Sequence, residues 1–401
     1  MIISQLVKKI KPSATMSITS KVKQMISSGI DVIGFGAGEP DFDTPDYIKT
    51  AAIESLQNGF TKYTPTSGIL ELKEAICKKL LQENGVNYTP KQVIISCGAK
   101  HSIYNTILAL CNPGDEVLVP SPYWVSYPEQ ITLANSTPVF IHTDDSKDFK
   151  ISVEDLKRSI TDKTKLLILN SPSNPTGSVY TKEELYEIAD FAIQAGLYII
   201  SDEIYEKIVY DGTVHYSPAS FGEKFAKNVI TVNGLSKTFS MTGWRIGYMA
   251  GPEELVKATE LIQDHSTSCP NSFSQKAAVV AIRGKDDITS KMVSEFDRRR
   301  RYIVERLNKI EGITCRLPKG AFYVFPNISG LYGRKIAGET AKNSSEFVSI
   351  VLDKAKVAVV PGICFGSDSH VRLSYATSFE NIEKGMDRLE NLLTNSIPYK
   401  N

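Results

Sequence analysis

The chain has 401 residues, 42% of them hydrophobic and 23% charged, with a formal net charge of +1. This length favours two domains with sizeable cores, and the composition is that of a soluble globular protein. The near-zero charge gives no reason to expect a nucleic-acid or membrane partner, and no apolar run is long enough to span a bilayer.

The amino-terminal segment has no apolar stretch long enough for a secretory signal, so we expect a surface arm and a cytoplasmic protein. The cysteines do not form Cys-x-x-Cys pairs, which indicates reduced thiols rather than a disulfide framework. The five histidines also lack metal-ligand spacing, so we expect no metal site. The six cysteines are residues 77, 97, 111, 269, 315 and 364.

Short apolar segments alternate with helical patterns through the middle of the chain. This alternation predicts an α/β fold with a mostly parallel sheet, expected to have seven strands, between layers of helices. One helix opens after Thr181, where Glu184 completes a capping box. The predicted strands lie near 93–96, 116–119, 165–169, 197–201 and 229–232.

The last third of the chain has a different, α+β character. We expect residues 45–285 to form a large domain, and residues 1–44 with 286–401 to form a smaller domain with an amino-terminal arm. The predicted elements of this last third are helices at 287–310, near 345–355 and at 380–395, and a strand at 370–376.

Candidate site residues follow the predicted strands directly. In open α/β sheets, ligands bind beyond the carboxyl ends of the strands, so we expect these residues to meet at one edge of the sheet. In chain order they are Gly98 with Ala99, Trp124, Asn174, Asp202 and Lys237.

Lys237 and Arg245 lie in the stretch 234–247, which follows the last of these strands. A lysine that loses its proton forms a Schiff base with a carbonyl cofactor, and an arginine binds phosphate through a planar fork of donors. An aldehyde and a phosphate on one small molecule describe pyridoxal phosphate. A single loop lysine is usually solvated, but the arginine, the glycines and the strand together predict a pyridoxal phosphate site with Lys237 as its catalytic residue.

Asp202 is predicted to pair with the pyridine nitrogen of that cofactor, and Tyr205 to reach its phenolic oxygen. The alternative is that Asp202 caps the following helix. Glu203 and Glu206 are expected to be solvated helix residues.

Gly98 and Ala99 open a helix whose free backbone N–H groups suit a phosphate. Lys100 in the first helical turn opposes the helix dipole, which indicates anions nearby. Trp124 could stack on a flat ring or belong to the core. The loop around Asn174 is stiffened by prolines, one of which could follow a cis peptide bond. Arg372 could clamp a carboxylate, and Gly38 would let backbone approach the substrate.

These motifs together resemble the class I/II aminotransferases of pyridoxal phosphate fold type I, over nearly the whole chain. The segments at 38–45, 63–68 and 121–128 further resemble the bacterial-type Ib aspartate aminotransferases. The motifs that carry the family resemblance are Gly-x-Ser-Lys through Arg-Ile-Gly at 234–247, Asn-Pro-x-Gly at 174–177 and Ser-Asp-Glu-Ile-Tyr at 201–205.

The resemblance implies that Lys237 holds the cofactor and moves the substrate proton, while Trp124 stacks on the cofactor ring. Arg372, Asn174 and the Gly38 N–H would bind the substrate carboxylate. Tyr63 would reach the cofactor of the neighbouring subunit in a homodimer with shared active sites. The residues expected to bind cofactor are Gly98, Ala99, Lys100, Trp124, Asn174, Asp202, Tyr205, Ser236, Lys237, Arg245 and Tyr63; those expected to bind substrate are Gly38, Lys100, Trp124, Asn174 and Arg372.

Two departures from the better-known Ia aspartate enzymes matter. The stretch 265–271 lacks the arginine that binds the substrate side chain there, and Lys100 matches the lysine that takes this role in Ib relatives. Gly234 replaces a phosphate-binding serine. We therefore expect ping-pong amino transfer from L-aspartate to 2-oxoglutarate, with small amino and keto acids as the only partners besides a second subunit.

Other activities remain open at this point. They are a prephenate, aromatic or alanine aminotransferase, a β-lyase of the same fold, a transcription regulator that kept the fold, and a scaffold without cofactor.

Overall fold

The computed structural model describes residues 3–284 and 288–394. The helices, in chain order, are α1 (Gln5–Lys9), α2 (Ala14–Ser27), α3 (Asp46–Gln57), α4 (Leu70–Lys79), α5 (Ala99–Leu110), α6 (Ser126–Leu133), α7 (Val153–Ser159), α8 (Lys182–Gln194), α9 (Glu223–Ala226), α10 (Glu253–Asp264), α11 (Ser272–Arg283), α12 (Ile288–Asn308), α13 (Ser344–Ala355) and α14 (Phe379–Thr394).

The strands are short, and most are buried. They are β1 (Ile33–Gly34), β2 (Val93–Ser96), β3 (Glu116–Ser121), β4 (Thr137–His142), β5 (Thr164–Asn170), β6 (Tyr198–Asp202), β7 (Val229–Gly234), β8 (Gly247–Ala250), β9 (Tyr323–Val324), β10 (Lys335–Ile336), β11 (Glu339–Thr340), β12 (Val357–Ala358), β13 (Val360–Pro361) and β14 (Val371–Ser374).

A seven-stranded sheet forms the centre of the fold, with strand order β2-β8-β7-β6-β5-β3-β4. β7, β6, β5, β3 and β4 pair in parallel, whereas β8 runs antiparallel to both of its neighbours. Every residue of β2, β7 and β8 is buried, as expected for strands covered by helices on both faces. The predicted α/β class with a mostly parallel seven-stranded sheet is confirmed.

Separate apolar clusters cover the two faces of this sheet. On one face, α5 and α6 contribute Ile103, Ile107 and Ile131, which lie with the buried β3 residues Val117 and Val119. The other face packs against side chains from α3, α4, α8 and α11. Since both faces are filled by apolar side chains, polar groups at the carboxyl edge of the sheet are held on a rigid base.

The last third of the chain builds a second core around the three-stranded antiparallel sheet β13-β14-β9. α12, α13 and α14 pack around it, and β1 pairs with β12. The predicted helix at 287–310 is observed at 288–308, and the final helix ends at Thr394; residues 287 and 395 lie outside the described residues. The expected division between residues 285 and 286 lies outside them as well, so the domain boundaries stay a prediction.

The predicted strands and helix starts are confirmed closely. The capping box of α8 has Thr181 accepting from the Glu184 N–H while the Glu184 carboxylate accepts from Thr181 N. Asn174 precedes a cis peptide bond to Pro175. β4 and β8 had no counterpart in the sequence analysis. None of the described helices is both long and apolar enough to cross a membrane.

Candidate active site

Lys237 lies just beyond the end of β7, and its amine is held by a backbone carbonyl. Nζ donates a 2.5 Å hydrogen bond to the carbonyl oxygen of Gly38. Burial is the largest cause that lowers the pKa of Lys237 to about 8; Glu39 and Asp202 oppose this fall, and Arg245 and Arg372 contribute to it. A lysine in this environment loses its proton near pH 8, well below an ordinary lysine, and a nucleophile or a proton carrier requires such a loss.

Asp202 ends β6 and is only 4% exposed. Burial raises its pKa to about 6, although two hydrogen bonds oppose the rise. Tyr127 donates its hydroxyl to Oδ2 at 2.6 Å, and the Ile204 N–H donates to Oδ1 at 3.3 Å. A turn rather than an α-helix follows Asp202, so the helix-capping alternative is wrong.

Two tyrosines form a buried pair between the sheet edge and the carboxyl-terminal core. The Tyr205 and Tyr323 hydroxyls lie 2.8 Å apart. Burial raises the pKa of both phenols. The guanidinium of Arg372 lies over the Tyr323 ring, 4.5 Å from its centroid. Tyr205 therefore has a partner that the sequence analysis did not identify.

Arg372 extends from β14 into the same region and is 2% exposed. Nη1 donates to Oδ1 of Asn174 at 2.9 Å, and Nη2 donates to the Gly36 carbonyl oxygen at 2.8 Å. Nε is buried and has no hydrogen-bond partner among the described residues. The Asn174 N–H in turn donates to Oδ1 of Asn170 at 2.8 Å. The structure thus joins Arg372 and Asn174, which the sequence analysis assigned to one carboxylate site.

The amino-terminal end of α5 faces Arg245 across Gly98. A Cβ atom on Gly98 would lie 2.3 Å from Nη2 of Arg245, and Gly98 has φ of +87°. No side chain caps this helix. Arg245 donates Nη1 to the Thr242 carbonyl at 2.9 Å and Nη2 to the Cys97 carbonyl at 3.1 Å. A guanidinium and an uncapped helix terminus form an anion site at this point.

Lys100 and Trp124 lie next to each other, with Nζ 4.9 Å from the centroid of the Trp124 ring. Lys100 forms no ion pair among residues 3–284 and 288–394. Burial lowers its pKa, and Arg245 acts in the same direction. Lys100 and Arg245 thus lie near each other, and neither cation has a carboxylate partner among the described residues. This arrangement favours anionic ligands. Trp124 also packs edge-on against Tyr127, with 5.3 Å between the ring centroids.

The remaining predicted site residues are Tyr63, Ser236 and Gly38. Tyr63 is 91% exposed and has no hydrogen bond within the described part of the chain. Ser236 is buried beside Lys237. Gly38 contributes its carbonyl to Lys237, and a Cβ atom there would lie 3.2 Å from the Tyr323 hydroxyl. A side chain at position 38 would therefore crowd the site.

Glu203 and Glu206 were expected to be solvated, and this expectation is wrong. Glu203 is 0% exposed and Glu206 is 8% exposed. Together with His215 they place possible ligand atoms within 4.8 Å of one another. Glu206, however, already has a cation, because it pairs with the Lys79 ammonium and accepts from Asn84 at 2.9 Å.

Comparison with known proteins places this geometry in a family. The family model for aminotransferase class I and II matches residues 30–389. The chain belongs to the class I and II aminotransferases. It is 48% identical to an aspartate aminotransferase of Bacillus sp. (strain YM-2) over 96% of this chain and 97% of that protein.

This aminotransferase resembles two further proteins over almost its full length. It is 48% identical to a probable aspartate/prephenate aminotransferase of Aquifex aeolicus (strain VF5), covering 96% of each chain. The crystal structure of the aspartate aminotransferase from Rhizobium meliloti superposes with a TM-score of 0.96 at 39% identity, covering 99% of this chain and 100% of that one. The predicted family and fold are confirmed.

Aminotransferases of this class use pyridoxal phosphate, and the residues of this chain suit that group. The cradle at Gly98 has no room for a Cβ atom, and with Arg245 it offers donors to a phosphate. The unpartnered Nε of Arg372 offers a donor to a substrate carboxylate. Lys237 offers a readily deprotonated amine, and Asp202 a buried carboxylate. The donors and acceptors therefore match the functional groups of the cofactor and of an amino acid.

Proposed function

We propose that this protein is a pyridoxal phosphate-dependent aspartate aminotransferase. It would transfer the amino group of L-aspartate to 2-oxoglutarate in a ping-pong reaction, giving oxaloacetate and L-glutamate. The observation that carries this proposal is the convergence of Lys237, Asp202 and Arg372 beside Lys100, a cation available for a second carboxylate.

Seven of the chain's residues would hold the cofactor. Arg245 and the amides at Gly98 and Ala99 would hold its phosphate, with Ser236 beside them. Asp202 would keep a proton on the ring nitrogen, and Tyr205 would donate to the phenolic oxygen. Trp124 would cover one face of the ring. When bound, pyridoxal phosphate supplies a ring that accepts the electron pair released at the substrate Cα.

The remaining residues would bind the substrate and move its proton. Arg372 would bind the α-carboxylate with help from Asn174 and the Gly38 N–H, while Lys100 would bind the side-chain carboxylate. Lys237 would take the proton from Cα at Nζ, since its lowered pKa leaves a neutral amine available near pH 8. Because Arg372 is buried within β14 and Lys100 lies in the first turn of α5, the two bound carboxylates would fix Cα near Nζ.

The experiment is steady-state kinetics of the holoenzyme with aspartate, prephenate, tyrosine, alanine and kynurenine as test substrates. We expect the highest kcat/KM with the aspartate and 2-oxoglutarate pair. Lys237→Ala should abolish turnover, and full turnover in that variant would refute the mechanism. A preference for alanine or an aromatic amino acid would refute the substrate assignment.

Prephenate is the second candidate, because it also presents two carboxylates to Arg372 and Lys100. The similarity to the Aquifex protein, described as a probable aspartate/prephenate aminotransferase, supports including it. A kcat/KM for prephenate equal to or above that for the keto acid of the aspartate pair would favour this function.

We further propose a homodimer with shared active sites and the two-domain division at 45–285 against 1–44 with 286–401. The support for the dimer is the ring of Tyr63, which is 91% exposed and makes no hydrogen bond within the described part of the chain. Mixed dimers of Lys237→Ala and Tyr63→Ala subunits should regain one intact site and therefore activity. The free state of the cysteines fits the proposed cytoplasmic location.

A further inference from the structure

Two adjacent carboxylates at the end of β6 point to opposite sides of the sheet. Asp202 meets Tyr127, which comes from α6 on one face. Glu203 meets Ser201, His215 and Ser217, and we call these four residues the Glu203 cluster. Successive side chains of a strand alternate between its faces, so Glu203 is directed away from the cofactor side.

The carboxylate of Glu203 is fully hydrogen-bonded but has no lysine or arginine partner. Oε1 accepts from the hydroxyl of Ser201 at 2.8 Å and from that of Ser217 at 2.7 Å. Oε2 lies 3.2 Å from Nε2 of His215. No lysine or arginine lies within 4 Å of it among the described residues. Hydrogen bonds from hydroxyl groups stabilise the ionised form without cancelling its charge.

Glu206, the other buried glutamate of this segment, has different partners from Glu203. Glu206 pairs with the Lys79 ammonium, and this pairing helps to lower its pKa to about 2. Burial raises the pKa of the Tyr88 phenol, with Glu203 adding to the rise, and the pKa of the Tyr248 phenol, where Glu206 and then Glu203 add to it. The Nδ1 atom of His215 is buried without a partner. Of the two buried glutamates, Glu206 has a lysine partner, whereas the one possible cationic partner of Glu203 among the described residues is His215.

We propose that Glu203 is a positioning residue that acts through Asp202. Its buried negative charge, next to Asp202 in the chain, strengthens the hold of Asp202 on the proton at the pyridine nitrogen of pyridoxal phosphate. The inference rests on the proposed function, since it assigns a residue to the Asp202 side of the same site. The proposal requires only that the carboxylates of the adjacent residues Asp202 and Glu203 interact through the protein interior, where charges are weakly screened.

The direction of the effect follows from electrostatics. A negative charge close to Asp202 disfavours a second negative charge there, and Glu203 acts in this sense on the pKa of Asp202. Any proton shared between Asp202 and a bound base is therefore held more firmly when Glu203 is ionised. Removing this charge while keeping the shape of the side chain should release that proton at lower pH.

The test uses the full-length holoenzyme reconstituted with ¹⁵N-labelled pyridoxal phosphate. The ¹⁵N chemical shift reports protonation of the ring nitrogen and is followed between about pH 6 and pH 10. In Glu203→Gln, we expect deprotonation about one pH unit below that of the wild type. kcat for aspartate should fall severalfold, while KM should stay within about twofold because no substrate contact is lost.

Glu206→Gln is the matched control. It also neutralises a buried glutamate of the same segment, but one that lies four residues along the chain from Asp202 instead of next to it. Its charge should act more weakly on Asp202, so the ¹⁵N titration should stay close to that of the wild type. Glu203→Asp and Glu203→Asn form a second pair that differs in charge alone, and they serve if Glu203→Gln does not fold. The ¹⁵N titration of Glu203→Asp should follow that of the wild type, and the ¹⁵N titration of Glu203→Asn should follow that of Glu203→Gln.

Identical ¹⁵N titrations for charged and neutral residues at position 203 would overturn the proposal. An equal shift in Glu206→Gln would overturn it too, because a general loss of packing would then account for the effect. The proposed function fails by a different result, namely full turnover in Lys237→Ala or no turnover of aspartate by the wild type.

Discussion

The hydroxyl of Tyr127 donates a 2.6 Å hydrogen bond to Oδ2 of Asp202, and both side chains are buried. This contact joins the first turn of α6 to the end of β6, and it holds the carboxylate toward the cofactor side of the sheet. Because hydrogen bonding to an ionised carboxylate lowers its pKa, Tyr127 also limits the rise that burial imposes on Asp202.

Tyr127→Phe should therefore raise the pKa of Asp202 in the apoenzyme. The lost hydrogen bond to a charged group should also cost about 1.5–3 kcal/mol of stability at pH 8. Infrared spectroscopy of the carboxyl band gives the pKa, and urea unfolding gives the stability. Tyr123→Phe is the control, because Tyr123 stacks on Phe140 and makes no hydrogen bond to Asp202. Equal effects of the two substitutions would contradict the assigned contact.

Asp202 should make the stability of the apoenzyme depend on pH. Its pKa is raised from 3.8 to about 6 in the folded protein, so the folded state binds the proton more tightly than the unfolded state. The stability contributed by the protonated carboxyl is present below about pH 4 and is lost as pH rises through about 6, for a total of about 3 kcal/mol.

Asp202→Asn removes this titration. The unfolding free energy of the variant, relative to that of the wild type, should thus increase by about 3 kcal/mol between pH 4 and pH 7. Urea unfolding of both apoproteins at the two pH values measures the difference. A difference that does not change with pH would show that Asp202 is not buried as described.

Lys237 should become reactive at a lower pH than other lysines. Its pKa is lowered to about 8 by burial, so its amine should be acetylated as pH rises through this value in the apoenzyme. Mass spectrometry after brief acetylation at a series of pH values gives the midpoint. Lys257 is an internal reference, because Glu253 raises its pKa.

Glu39→Gln should lower the midpoint of Lys237 further. Glu39 raises the pKa of Lys237, and its carboxylate is held in place by the Thr242 hydroxyl at 2.8 Å. An unchanged or higher midpoint in this variant would mean that Glu39 does not act on the lysine.

Lys100→Met should separate dicarboxylic from other substrates. The ammonium has no carboxylate partner among the described residues, and a charge-assisted hydrogen bond contributes about 1.5–3 kcal/mol. kcat/KM for aspartate should fall about 10- to 100-fold, while kcat/KM for phenylalanine should change little. Similar losses for both substrates would remove Lys100 from side-chain recognition.

Gly98→Ala should weaken cofactor binding by displacing Arg245. The added Cβ would lie 2.3 Å from Nη2 of Arg245, so the dissociation constant of pyridoxal phosphate should rise at least about tenfold. Gly114→Ala is a matched control, since Gly114 has φ of +91° but nothing within 4 Å of its added Cβ. Both substitutions carry similar backbone strain, and only the first should change titrations of the apoenzyme with cofactor.

Much of the fold followed from local patterns. β2, β5 and β7 are continuous apolar segments, and Thr181 with Glu184 marks the start of α8. β4 was missed because its side chains are mostly half-exposed or exposed, so it lacks a buried-strand pattern. β8 was missed because it directly follows the Arg245 motif and is only four residues long.

The site was predictable where one residue type carries the chemistry. A lysine, an arginine and an aspartate after strand ends were recognisable from the sequence. Tyr127 and Tyr323 were not, because an aromatic residue in a sequence is most simply a core residue, and only the folded chain shows where its hydroxyl points. Glu203 was misassigned for the same reason, since a glutamate is usually solvated and its burial depends on Ser217 and His215 from another segment.

The sequence by itself determined the family and the main buried strands and helices, and it predicted the reactive groups, because these depend on residue type and local spacing. Only the tertiary structure decided which oxygen of Asp202 meets Tyr127, that Nε of Arg372 has no partner among the described residues, and that Glu206 pairs with Lys79 while Glu203 meets two hydroxyl groups and His215. Those properties arise from burial and from contacts between distant segments, which set pKa values and hydrogen bonds and which no local pattern encodes.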